Sequence, residues 1–107
     1  MSEESILVLS TFPDAGTARR IARVLIEERL AACVSLLPQV ESIYRWQGAI
    51  ETAAEVLALI KSNSWKYQLL ESRIRELHPY ELPEIISLRI DSGHVAYLDW
   101  IGQSVTR

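Results

Sequence analysis

Val40-Glu41-Ser42-Ile43-Tyr44-Arg45-Trp46-Gln47-Gly48 is the stretch that decides the fold. Its side chains follow a two-residue alternation that ends on a Gln-Gly pair, the composition of a tight turn between antiparallel strands. On the N-terminal side, Ala32 to Leu37 is apolar, and Pro38 interrupts it without ending the extended pattern. On the C-terminal side, Ala49 to Ser62 is again extended and closes on the run Val56-Leu57-Ala58-Leu59-Ile60. The sequence therefore predicts a hairpin with arms of about 14 residues, on the order of 45 Å at roughly 3.3 Å per residue. A globule of this size is only about 35 Å across, so the hairpin has to bend or overhang.

The rest of the chain is arranged around that hairpin. Ile6-Leu7-Val8-Leu9 reads as a first strand covered on both faces, closed by Pro13 and Asp14. Asp14 is placed to cap a helix whose Ala18, Ile21, Ala22 and Leu25 lie opposite Arg19, Arg20 and Arg23. After the hairpin, Asn63 or Ser64 is expected to cap a second helix that buries Tyr67, Leu70, Ile74 and Leu77, with Pro79 ending it. Ile85 to Ile90 reads as a fourth strand, and Tyr97, Leu98 and Ile101 mark a short terminal helix after Asp91-Ser92-Gly93. The order β-α-β-β-α-β is the split βαβ, ferredoxin-like sandwich of the α+β class, with both helices on one face of a four-stranded antiparallel sheet. Residues 1–107 are read as one domain. The uncovered sheet face and the aromatic tip, Ile43, Tyr44 and Trp46, call for cover by sister copies in a closed ring, and a trimer suits sheets packed around one axis.

Composition narrows the function classes. Eleven basic residues are scattered among fourteen acidic ones for a net charge of -3, which leaves no basic stripe for a nucleic-acid backbone. The apolar runs are far shorter than the roughly 20 residues that cross a bilayer, and the acidic N-terminus is unlike an export signal, so no membrane partner is expected. A single cysteine, Cys33, offers neither an internal disulfide nor a CxxC pair, and points to a cytoplasmic setting. The four glycines are isolated, so no phosphate cradle or organic cofactor is indicated.

Six ordered motifs carry a family resemblance: Leu30-Ala31-Ala32-Cys33-Val34, Leu37-Pro38, Ser42 to Gly48, Glu55-Val56 with Ile60-Lys61, His78-Pro79-Tyr80-Glu81-Leu82-Pro83-Glu84, and Tyr97-Leu98-Asp99-Trp100. Together, from about Ile6 to Trp100, they closely resemble the CutA, or divalent-cation tolerance, family. The resemblance implies a ferredoxin-like homotrimer that binds divalent metal, chiefly copper, in the response to metal ions. Copper assignments in the family involve a first-strand cysteine, and here Ser10 stands at that place. A second histidine is also missing, because Leu77 precedes His78.

His78 lies between a helix end and a proline-stiffened loop, and with Glu81 and Glu84 it forms a chemically ordinary first shell for Cu²⁺ or another divalent cation. The same ring is equally suited to cap the helix's last carbonyls. Cys33, in an apolar run, reads as a buried thiol, and His94 as a solvated loop residue. A second constellation, Tyr44, Trp46, Lys61, Tyr80 and Glu84, is placed by the resemblance near clefts between subunits. Aromatic walls with a lysine and a carboxylate suit a small anionic ligand, as in a signalling or adaptor trimer with PII-like architecture, although the aromatics also suit an interface core. Glu55 is either the partner of Lys61 or a solvated sheet-face residue. GxSxG and HExxH patterns are absent from the sequence, so enzymatic chemistry is not expected.

Overall fold

The computed structural model describes residues 4–106. Strand β1 spans Ser5–Phe12, helix α1 Ala15–Glu27, strands β2 and β3 Cys33–Trp46 and Ala49–Asn63, helix α2 Tyr67–Leu77, strand β4 Ile86–Arg89 and helix α3 Val95–Ser104. The strands form one sheet in the order β2-β3-β1-β4, and every neighbouring pair is antiparallel. This is the split βαβ arrangement that the sequence predicts, with the terminal helix added.

Alternation decides which side of the sheet is dry. Ile6 and Val8 of β1 and Val56, Ala58 and Ile60 of β3 are buried together with Ala18, Ile21 and Leu25 of α1 and Leu70 and Ile74 of α2. The opposite face is only partly covered: Leu7 and Leu9 are half-buried, so β1 is not the strand closed on both faces that its continuous apolar run predicts. Helix α3 crosses β1 and β3, burying Ile101 and Val105. α1 begins where the Asp14 carboxylate accepts the Thr17 N–H at 2.7 Å, the expected N-cap. The expected cap of α2 does not form. Asn63 is still paired to Ser5 as the last residue of β3, its side chain is drawn into the interior, and a 3₁₀ turn at Ser64–Lys66 precedes the helix.

The β2–β3 hairpin is the long ribbon expected. Gln47 and Gly48 both take positive φ, 50° and 84°, the two-residue turn that matches strand twist. Lower down, Leu37 faces Leu57 while Val40 faces Glu55, so Pro38 and Gln39 together oppose the single residue Val56. That is a β-bulge, made where Pro38 lacks an N–H and Gln39 adopts φ 63°. The bulge bends the ribbon without ending it. The molecule measures 46 × 26 × 22 Å with a radius of gyration of 14.4 Å, whereas a compact chain of this length has about 13 Å. The overhanging end is apolar and open: Ile43 is 67% and Ile50 71% exposed, and Tyr44 and Trp46 are exposed beside them.

Candidate functional site

The loop after α2 is held by His78. Its backbone N–H closes the helix on the Ile74 carbonyl at 2.8 Å, and its ring, 8% exposed, turns inward onto β1. Nε2 lies 2.8 Å from the Thr11 carbonyl oxygen, which can only accept, so Nε2 carries the proton. Nδ1 in turn accepts the Tyr80 N–H at 3.1 Å. The partners thus assign a neutral imidazole in one tautomer, stacked on Phe12 with centroids 4.7 Å apart. Burial moves the His78 pKa below its ordinary value, against the Thr11 carbonyl and Glu55, both of which favour the protonated ring.

From Tyr80 the network continues outward. Its hydroxyl donates to Glu55 Oε2 at 2.7 Å, and Glu55, on β3 beside the bulge, is also only 8% exposed. Burial, followed by the Glu55 carboxylate, raises the Tyr80 phenol well above its usual range. Thr11, Glu55 and Tyr80 form one side of a cleft of ≈ 780 Å³ whose other walls are Tyr44, Arg45 and Trp46 of β2 and Glu81, Leu82 and Glu84 of the loop. The fold therefore joins the hairpin and the loop, about 35 residues apart in sequence, into one site because the β1–β3 pairing sets both against the end of β1.

Several expectations for the site change. Tyr44, Trp46, Tyr80 and Glu84 do converge, but Lys61 does not line the cleft. Lys61 pairs with Cys33 across the β2–β3 register, and its ammonium donates to Ser35 Oγ at 2.8 Å and to Cys33 Sγ at 3.7 Å. Cys33 is accordingly half-buried in a polar pairing rather than inert in the core. Glu55 is neither Lys61's partner nor solvated. Within one chain the cleft carries three carboxylates, Glu55, Glu81 and Glu84, and one guanidinium, Arg45. Glu55 and Arg45 are the charged members that sequence reasoning did not place there. The signal for Glu55 was present as a charge set between Ala53-Ala54 and the apolar run from Val56.

Both His78 ring nitrogens are engaged, so the ring offers a lone pair only if it leaves Tyr80. Glu81 and Glu84 are exposed on the loop. Among the described residues, no three His, Cys, Asp or Glu side chains are gathered as a ligand set. Ser10 is fully buried, and its hydroxyl has no hydrogen-bond partner among the described residues. His94 is exposed at the start of α3. The donors present are therefore carboxylate oxygens, which suit hard cations better than soft ones.

Residues 6–104 match the model of the CutA1 divalent ion tolerance protein family. The chain is 46% identical over 98 residues to the divalent-cation tolerance protein CutA of Thermus thermophilus, covering 92% of this chain and 95% of that one. It is also 46% identical over 93 residues to human protein CutA, but there it covers 87% of this chain and only 52% of the longer relative. The crystal structure of CutA from Xylella fastidiosa superposes with a TM-score of 0.93 at 46% identity, covering 95% of this chain and 98% of that one. A whole-length family match, high identity and one shared fold agree: this chain belongs to the CutA1 divalent ion tolerance family.

Proposed function

We propose that the chain works as a homotrimeric, cytoplasmic, non-catalytic protein that binds divalent cations in the acidic cleft as part of the response to metal ions. One observation carries this reading. Glu55 is a buried carboxylate whose one hydrogen-bond donor among the described residues is the neutral Tyr80 hydroxyl, and a buried charge without a counter-charge favours uptake of a cation. Glu81 and Glu84 supply further oxygens at the mouth of the same cleft. Copper, with His78 as ligand, is the narrower form of the proposal and requires the ring to exchange its bond to Tyr80 for the metal.

The trimer completes the site. The sheet ends in two edges, β2 and β4, and β4 is exposed along its whole length, with Ile86 and Leu88 among its open apolar residues. A head-to-tail ring pairs the edge of one copy with that of the next and sets the overhanging hairpin tip, with the cleft wall it forms, beside a neighbouring copy. Among the described residues, no helix is long and apolar enough to cross a membrane.

Calorimetric titration of metal-free protein with Zn²⁺, Mn²⁺ and Cu²⁺ tests the proposal. Glu81→Gln/Glu84→Gln is expected to weaken Zn²⁺ and Mn²⁺ binding about tenfold or more, because each carries a charge-assisted oxygen contact. Affinities equal to those of the parent would remove the cleft as the cation site. For copper, unchanged Cu²⁺ affinity in His78→Ala would eliminate the narrower form.

A further inference from the structure

A hydrated metal ion has no use for aromatic walls, and this cleft has three: Tyr44, Trp46 and Tyr80 share it with Glu55. We propose that the cleft takes a small organic cation, a primary ammonium or guanidinium group on a short apolar stem. This rests on the cation-binding reading above and names a ligand class for the same site.

Three features fit such a ligand together. The Glu55 carboxylate has about four acceptor positions, and among the described residues one donor, the Tyr80 hydroxyl at 2.7 Å, occupies one of them. An ammonium or guanidinium brings three or five N–H donors and uses separated carboxylates one at a time. It therefore does not need the convergent trio of ligands that is lacking among the described residues. Aromatic faces then attract the cation and its stem together, which they do not do for a strongly hydrated metal. Arg45 lines the same cleft but makes no ion pair with Glu55, Glu81 or Glu84 among the described residues, so the carboxylates are not already neutralised from within the chain.

The position of Tyr80 is preset by His78. Because Nδ1 holds the Tyr80 N–H and the two rings lie 4.8 Å apart, the phenol leaves the loop toward Glu55, and one oxygen of the carboxylate is fixed before any ligand arrives. A carboxylate held in this way loses little freedom on binding, which favours affinity.

The test is calorimetric titration of the full-length protein, as purified and metal-free, with n-butylammonium and n-butylguanidinium, and separately with Zn²⁺ alone. Saturable binding of either organic cation at one site per chain is expected, weakened about tenfold by Glu55→Gln. About a threefold loss is expected in Trp46→Leu and in Glu81→Gln, the latter at an exposed position where folding is not at stake. Absence of saturable binding, or binding indifferent to all three substitutions, overturns the proposal. If Zn²⁺ binds and the organic cations do not, the organic-cation inference falls and the metal reading stands. Organic cations binding without Zn²⁺ supports the inference and removes the metal reading. Competition between the two supports both.

Discussion

Removing one oxygen atom from Tyr80 tests whether the buried network is energetically real. Tyr80→Phe keeps the ring against His78 and the backbone N–H on Nδ1, and deletes only the hydroxyl that donates to Glu55 at 2.7 Å. Glu55 is then a carboxylate at 8% exposure that has lost the Tyr80 hydroxyl donor. A hydrogen bond to a charged group contributes about 1.5–3 kcal/mol, and an unsatisfied buried acceptor costs a similar amount, so a loss of about 2 kcal/mol is expected. Glu55→Gln keeps an acceptor and discards the charge, and should cost about 1 kcal/mol. In the Glu55→Gln background, Tyr80→Phe should cost only about 1 kcal/mol, leaving a coupling of about 1 kcal/mol between the two sites. Urea denaturation followed by circular dichroism gives these differences, with all four proteins at one concentration because oligomer stability depends on it. A Tyr80→Phe protein within 0.5 kcal/mol of the parent, or strict additivity in the double variant, would refute the reasoning.

Ser10→Ala should stabilise the fold by about 1 kcal/mol in the same denaturation assay, because it removes a fully buried hydroxyl that has no partner among the described residues; a loss of stability would show that the hydroxyl is satisfied. His78 gives stability a pH dependence. With its folded pKa below the unfolded value of 6.5, the unfolded chain binds the proton first, so the contribution is complete above about pH 6.5 and is lost as pH falls from there toward the folded pKa. Thermal melts from pH 7.5 to 5 should show this slope, and it should be smaller in His78→Gln; an unchanged slope would assign the effect to other groups. Gly48→Ala should cost about 1 kcal/mol by denaturation: the φ of 84° disfavours a side chain, while the added Cβ meets nothing within 4 Å, and a neutral result would show that the turn relaxes.

Features set by local pattern were legible in the sequence. The Gln47-Gly48 turn, the Asp14 cap, the apolar faces of both helices and the 3.3 Å rise along two long arms together led to the fold and to the overhanging hairpin. Features set by register were not. Pro38 signalled an interruption, but the shift of one residue at the bulge depends on Gln39 entering positive φ, and that shift puts Glu55 opposite Val40. Lys61 reads as a cleft cation when only its strand is considered; across the ladder it meets Cys33, whose neighbour on the same face, Ser35, accepts its hydrogen bond. His78 was legible as a fixed residue because a helix end and a proline flank it. What fixes it is the Thr11 carbonyl, 67 residues away, which no local pattern reports. The Asn63 cap failed for a similar reason, since pairing with Ser5 held that residue in the sheet.

The central physical claim is that an exposed apolar ribbon and two open sheet edges are completed by two further copies of the chain. Sedimentation equilibrium at low micromolar concentration measures this directly. The account predicts a single species of three chains of 12.2 kDa each. A well-folded, soluble species with the mass of one chain under the same conditions would contradict it.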